Sequence, residues 1–462
     1  MNALVPSDIQ HLVPAVDGAV LQPDDQGYEV ANDLYNTTYR HRPAVVVAAT
    51  GVADVLAAVR FAAARSLPVA VQATGHGPSV PTDDAMVVGT RLMTGVRIDP
   101  VARTARIEAG VRAGRLVREA AQFGLAPLNG ASPLVGTVGY ALGGGIGPLG
   151  RAYGYAADHV RELDVVTADG ELRTAAPDRN TDLFWAMRGG KGNFGVVTSM
   201  EIDLFPVSRL YGGGLFFPGE AAADVLHAYR KWTTTVPENM SSSVALVRFP
   251  PVEAVPEPLR GRFVVHVRIA CSGSAADGER LVRPLLGIAP VLVDTVRDMP
   301  YTDVGSIHQD PTRPGPYRER STLLREMTED TVEELLRLAG PGTDCPVSVV
   351  ELRHLGGAMS RSPLHANAIG FREAQFSVFT VASAGPDRAA VVDGAQHSLV
   401  AALAPWRLGG PSPSFLGASE ADPRHVEAAY EPATFQRLRE IKAGYDPENI
   451  FRINHNIPPA VH

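Results

Sequence analysis

The residues of this chain that could do chemistry are few and widely spaced. His76 stands between two glycines in "VAVQATGHGPSV", where an apolar run gives way to a loop. Such a histidine is either a solvent-facing turn residue or an imidazole offered to a ligand that lies against bare backbone. A second stretch, "GASPLVGTVGYALGGGIGPLGRAYG" from Gly130 to Gly154, carries too many glycines for a helix or strand interior. Its amides have no side chains in front of them and can approach a large ligand closely. Gly145, Gly147 and Gly150 match GxGxxG, but no clean apolar strand precedes them and no strong helix follows, so a dinucleotide fingerprint is weakly supported. The 13 histidines are scattered, with no HExxH, CxxC or GxSxG, which argues against a metal centre or a serine-hydrolase elbow.

These residues need a scaffold to hold them. In 462 residues two domains are the default, and 45% hydrophobic with 20% charged residues describes a globular chain. A net charge of -8 speaks against nucleic-acid binding. No apolar run reaches the ~20 residues of a membrane span, and the N-terminus lacks the basic and apolar regions of a signal peptide. A cytoplasmic protein is expected. Cys271 and Cys345 are read as structural thiols.

Along the chain, a helical start near Ser7 precedes a strand (Val45 to Ala48), a helix carrying Val55, Leu56, Val59 and Ala62, and a strand from Pro68 that delivers the His76 loop. Val96, Ile98, Ala105, Ile107 and Ala109 alternate as in a hairpin, and a helix follows with Leu116, Ala120 and Phe123 on one side and Gly124 as its stop. Asp169-Gly170 marks a two-residue hairpin turn. From about Val207 the rhythm changes. Strands are expected at Gly214–Phe217, Val244–Phe249, Phe263–Ala270, Val347–His354 and Gln375–Ala382. Helices are expected near Ala221–Thr234, Ala276–Leu286, Glu329–Leu338 and Ala389–Ala404, giving an α+β sheet covered by helices. The last ~45 residues read as one helix, "RHVEAAYEPATFQRLREIKAGY", and a loop, "DPENIFRINHNIPPAVH".

Four stretches together, "PVAVQATGHGPSV", "GASPLVGTVGYALGGGIGPLGRAYGYAADHV", "DLFWAMRGGKGNFGVVTSMEIDLFP" and "YDPENIFRINHNIPP", resemble the FAD-linked oxidases related to berberine bridge enzyme. These belong to the vanillyl-alcohol oxidase, or PCMH-type, superfamily. Within it the chain is similar to bacterial 6-hydroxynicotine oxidases and antibiotic-tailoring flavoprotein oxidases. The resemblance implies a PCMH-type FAD-binding domain over 1–206, an antiparallel-sheet substrate domain over 207–418, and a C-terminal segment, 419–462, that returns to the first domain. It implies FAD bonded covalently to His76 at the flavin 8α position, within a loop of Thr74, Gly75 and Gly77. Gln72 stands where an arginine is frequent. Ser132 replaces the cysteine that adds a second bond in many relatives, so a single covalent link is expected.

The same resemblance implies that Gly136, Thr137, Gly139, Gly143, Gly144 and Val197 line the cofactor. Val135 falls where a small residue leaves room for O2, or it simply packs. Tyr140 either donates to the flavin edge or satisfies a backbone carbonyl. Asn454 and Asn456 either contact the cofactor or hold their loop by Asx turns. The tyrosine base of several relatives is missing, because "SPSFL" puts Ser412 and Ser414 in its segment. By strand alternation Glu351 and Arg353 share one face, as do Gln375, Ser377 and Phe379 on the next strand, with Arg372 just before it. Glu351, Arg353 and Arg372 are candidates for the substrate pocket, although such a Glu351–Arg353 pair is somewhat more often an ion pair that organises a sheet. The expected function is hydride removal from an amine or alcohol carbon of a small molecule, with O2 reduced to H2O2. Oxidative cyclisation, oxygenation or rearrangement in natural-product assembly is the alternative. A monomer or homodimer is expected.

Overall fold

The computed structural model describes residues 9–77 and 80–461. The expected helical start at Ser7, and Pro78 and Ser79 of the histidine loop, lie outside them. Three sheets organise the chain. The first contains β1 (Ala19–Leu21), β2 (Val45–Ala48), β3 (Val69–Gln72) and β4 (Met86–Gly89) in the order β1-β2-β4-β3. β2, β4 and β3 run parallel, as their valine-rich and mostly buried sequences require. The helix Val52–Ala63 makes the crossover from β2, burying Val55, Ala58, Val59 and Ala62. β3 then ends four residues before His76.

The second sheet holds β5 (Val96–Asp99), β6 (Thr104–Glu108), β7 (Val160–Val166), β8 (Leu172–Ala175) and β9 (Val196–Asp203), ordered β5-β6-β9-β7-β8. Three local expectations change here. The connection between β7 and β8 spans Thr167 to Glu171, because Thr167 and Glu171 pair across it while Asp169 takes Arg173 as a partner; Gly170 supplies the positive φ of +74°. The helix Ala113–Ala121 ends before Phe123, which is 49% exposed rather than packed with Leu116 and Ala120. The C-terminal helix is two, Pro423–Ala428 and Pro432–Tyr445, because Pro432 lacks the N–H to continue the first.

The third sheet is antiparallel throughout. It comprises β10 (Arg209–Pro218), β11 (Met240–Arg248), β12 (Phe263–Cys271), β13 (Val293–Asp294), β14 (Arg297–Pro300), β15 (Tyr317–Leu324), β16 (Val349–His354) and β17 (Phe376–Ser383). Its order is β13-β10-β12-β11-β16-β17-β15, and β14 also pairs with β10. Leu215, Val244, Val267, Leu352 and Val378 share one face and form a core with Val225, Leu226, Val282, Leu335 and Leu399 of the covering helices. Cys271 is buried in that core and Cys345 lies against it. The opposite face carries Phe379 together with His266, Arg268, Ser243, Glu351, Arg353, Ser377 and Glu319, an unusual set of polar residues for a mostly buried surface. It is this face that fronts the glycine-rich segment.

Candidate active site between the glycine segment and the large sheet

His76 is fixed on three sides. Gly75 before it has φ +68°, and a Cβ there would come within 2.8 Å of Leu34 Cα, so only glycine fits. The imidazole stacks on Tyr35 with ring centroids 3.9 Å apart, and its Nδ1 lies 2.8 Å from Thr74 Oγ1. Its carbonyl accepts from Tyr317 Oη of β15 at 2.5 Å, a bond between the histidine loop and the large sheet. Burial, with the Arg112 guanidinium adding to it, pushes the imidazole pKa down to about 4. His76 is therefore neutral near pH 7 and keeps a nucleophilic ring nitrogen. Gln72, the last residue of β3, is buried and donates to the Asp33 carbonyl at 2.9 Å.

Direct contacts join the four separated stretches. A Cβ on Gly136 would meet Ala73 and Thr74 at 3.6 Å, so the histidine loop rests on the start of the short helix Thr137–Leu142. At its other end the Leu142 carbonyl accepts from the amides of Gly189 and Lys191. Lys191 Nζ lies 3.1 Å from His455 Nδ1, and Asn454 Nδ2 donates to the Gly192 carbonyl at 3.3 Å. Ser414 Oγ donates to the Gly143 carbonyl at 2.7 Å and accepts from the Gly145 amide at 2.8 Å, while Ser412 caps its own turn. The "SPSFL" segment thus clamps the glycine run. Ser132 Oγ accepts only from the Leu134 amide at 3.3 Å, Val135 is half-buried, and Val197 is buried in β9.

The glycines divide into two uses. Gly77 and Gly139 face open space, where a Cβ would meet nothing within 4 Å. Gly145 instead makes room for the Tyr140 ring, which an added Cβ would approach to 2.7 Å, and Gly147 leaves no room for a Cβ beside the Asn129 carbonyl and the Tyr140 hydroxyl. Gly150 abuts Met359 Sδ, and Gly144 abuts Ile369. So the GxGxxG match at 145–150 is a packing arrangement around Tyr140 and not a phosphate loop. Burial pushes the Tyr140 hydroxyl pKa up, so it stays protonated.

Facing this segment, Glu351 is the anionic centre of the sheet's polar face. Its Oε1 lies 2.8 Å from Arg268 Nη1 and 3.5 Å from His308 Nε2, and its Oε2 lies 3.0 Å from Arg353 Nη2. Despite the opposing effect of burial, the guanidiniums of Arg353 and Arg268 hold the carboxyl well below the usual carboxylate range. Arg353 also lies over the Phe415 ring at 4.8 Å and the Phe379 ring at 5.8 Å. Sequence reasoning placed Glu351, Arg353, Ser377 and Phe379 together, and the structure brings them to one face. It does not bring Arg372 or Gln375 there. Arg372 is committed to Asp158 at 2.6 Å and stacks over Tyr155, because Asp158 is buried and needs a cation. Gln375 precedes β17, is exposed and bonds locally to Glu373.

Three residues of this region gave no sequence signal. His308, in the loop after Tyr301–Ser306, belongs to no motif. His266 and Arg268 alternate on β12 but look like ordinary strand polar residues. A cavity of about 40 Å³ lies between the glycine segment and the sheet, lined by Gly147, Arg151, Ser243, Arg268, His308 and Arg353 among others.

The residues present fit a flavin. Among the described residues, His76 Nε2, Thr137 Oγ1, Tyr140 Oη, Asn454 Oδ1 and Asn456 Oδ1 are buried without a hydrogen-bond partner. Buried polar atoms rarely stay unpaired, and these five come from the stretches that converge here, beside glycines that face open space.

Fold and site together define an FAD-linked oxidoreductase. Residues 43–176 match the family described as FAD binding domain, and residues 413–458 match berberine and berberine like. The chain is an FAD-linked oxidoreductase similar to the berberine-bridge-like FAD-linked oxidases. It is 29% identical to (R)-6-hydroxynicotine oxidase of Paenarthrobacter nicotinovorans, over 96% of this chain and 97% of that one. The crystal structure of 6-hydroxy-D-nicotine oxidase from Arthrobacter nicotinovorans superposes with a TM-score of 0.81 at 26% identity, covering 96% and 98% of the two chains. A berberine-bridge-like protein from Physcomitrella patens shares the fold with a TM-score of 0.85 at 21% identity, covering 98% and 100%. No helix among the described residues is long and apolar enough to cross a membrane.

Proposed function

We propose that the chain is an oxidase whose FAD is anchored covalently through His76 alone, and that it oxidises an amine or alcohol carbon of a small organic molecule with release of H2O2. The observation that carries this reading is the neutral, immobilised His76 with an unpaired buried nitrogen, set where the glycine run and the Asn454–Asn456 loop converge. Bound FAD supplies a two-electron acceptor that takes hydride from carbon and is reoxidised by O2.

The residues of the chain do the rest. Thr74 and Tyr35 hold the His76 ring in one orientation. Ser132 offers no thiolate, so a second bond has no nucleophile. Tyr140 keeps a proton on Oη, ready to donate to an anionic edge. Glu351 is pinned by two arginines and is a poor proton acceptor. His308 is the better one for an alcohol substrate: it is neutral, its Nδ1 is unpaired, and Glu351 stands behind its Nε2 to steady the imidazolium. A neutral amine needs no such acceptor.

Acid-precipitated protein is expected to stay yellow. His76→Ala is expected to release all its flavin to the supernatant, and Ser132→Ala to release none. Flavin that remains bound to denatured His76→Ala protein would sink the assignment. Peroxide release with amine and alcohol panels separates simple oxidation from cyclisation or rearrangement.

A further inference from the structure

The cavity between the glycine segment and the large sheet is unbalanced in charge. Three guanidiniums line it, those of Arg151, Arg268 and Arg353. One carboxylate, Glu351, answers them, pairing with Arg268 and Arg353. Arg151 is buried, and its named partners are neutral: the carbonyls of Met240 and Leu355 and the ring of His354, the last at 3.0 Å. Glu238, an acid that acts on it electrostatically, is exposed and bound to Arg361. The imidazoles of His266, His308 and His354 are all held neutral by burial and add no charge of either sign. Among the described residues the wall therefore carries two positive charges more than negative ones. Uncompensated buried charge is expensive, and planar guanidinium forks match carboxylate and phosphate oxygens. Ser243, between Arg268 and Arg353 in the sheet register, adds a buried hydroxyl without a partner.

We infer that this cavity receives an anionic group of the substrate, a carboxylate or a phosphate, held by Arg268, Arg353 and Arg151 with Ser243 as a further donor. The inference rests on the reading of this face as the substrate side of a flavin oxidase, and it narrows that reading to anionic substrates. Glu351 then acts as a spacer that engages two guanidiniums, one on each oxygen, while leaving one net charge between them. An amine or alcohol bearing an acid group fits; a purely cationic amine is disfavoured.

The test uses the purified flavin-loaded protein and three probes of similar size: benzoate, phenyl phosphate and benzamide. Calorimetry reads binding directly, and the visible flavin band reports whether the probe sits beside the cofactor. At least one anion should bind at least ten times more tightly than benzamide, as expected for a charge-assisted bond against a neutral one. Which anion binds distinguishes carboxylate from phosphate. Arg353→Gln should abolish the preference while the flavin stays attached, and Arg268→Gln serves if the first variant is poorly folded. Equal binding of benzamide, no binding of either anion, or a preference that survives both variants overturns the inference. Protein that carries no flavin defeats the oxidase reading instead, and the calorimetric preference still decides the charge question.

Discussion

Replacing Lys442 by methionine tests how the C-terminal loop is held against the flavin-binding stretches. Lys442 is completely buried. Its ammonium donates to the Asn193 carbonyl at 2.9 Å and the Phe451 carbonyl at 3.1 Å, and lies 3.2 Å from Asp446 Oδ2. Methionine keeps the length of the stem, so the loss is polar and not a cavity. The two carbonyls lose their donor, while Asp446 keeps the amides of Ile450 and Phe451 but loses its cation. Breaking a buried pair from one side costs about 3–5 kcal/mol. Because a chain of this size does not unfold in one step, local opening is the right readout. Hydrogen exchange at Ile450, Phe451 and Ile457 should accelerate at least about a hundredfold, since ~1.4 kcal/mol is a factor of ten. Ile457 belongs to the set because its amide donates to Asn193 Oδ1. The double variant Lys442→Met with Asp446→Asn should recover part of the loss, as it removes both charges. Exchange within threefold of the parent at all three amides, with unchanged flavin content, would refute the reasoning.

Two further outcomes are expected. His41 is 7% exposed and burial pushes its pKa down to about 4 from 6.5; the unfolded chain therefore binds a proton that the folded one does not, and stability falls as pH drops from about 6.5 towards 4, by roughly 3 kcal/mol. His41→Gln should flatten that acid limb in pH-dependent thermal unfolding, and an unchanged limb contradicts the assignment. Gly145→Ala should lower folded yield and disturb the flavin spectrum, because φ is +78° and the new Cβ would press on Tyr140 and Ala156 at 2.7 Å; a protein indistinguishable from the parent would show that Tyr140 has no fixed seat.

The sequence was most informative where one physical rule dominated. Continuous valines on β2 and the 3.6-residue spacing of Val55, Val59 and Ala62 leave little choice but a strand, a helix and a parallel return, and these deliver His76. It was least informative where buried residues are polar. β15, "YRERSTLL", escaped notice because Glu319 and Ser321 occupy its inward face, so apolar alternation never develops. His308 was missed for the same reason: its importance lies in a carboxylate 43 positions away in the chain, which only the sheet brings near. The glycine run was legible as unusual, but its division between open backbone and the seat of Tyr140 needs three dimensions. Arg372 lies next to β17 in the chain, yet its guanidinium serves Asp158, a partner more than two hundred positions away.

The bond from Tyr317 Oη to the His76 carbonyl spans 241 positions, and the Val69 amide is held by the Ile450 carbonyl almost at the chain's end. The histidine loop therefore reaches this geometry only when the large sheet and the segment around Ile450 are both in place. On the proposed reading, attachment of the cofactor at His76 then depends on all three parts being folded together. The yellow colour of a preparation is then expected to report correctly folded molecules, and removal of the segment around Ile450 is expected to give pale protein before any assay is run.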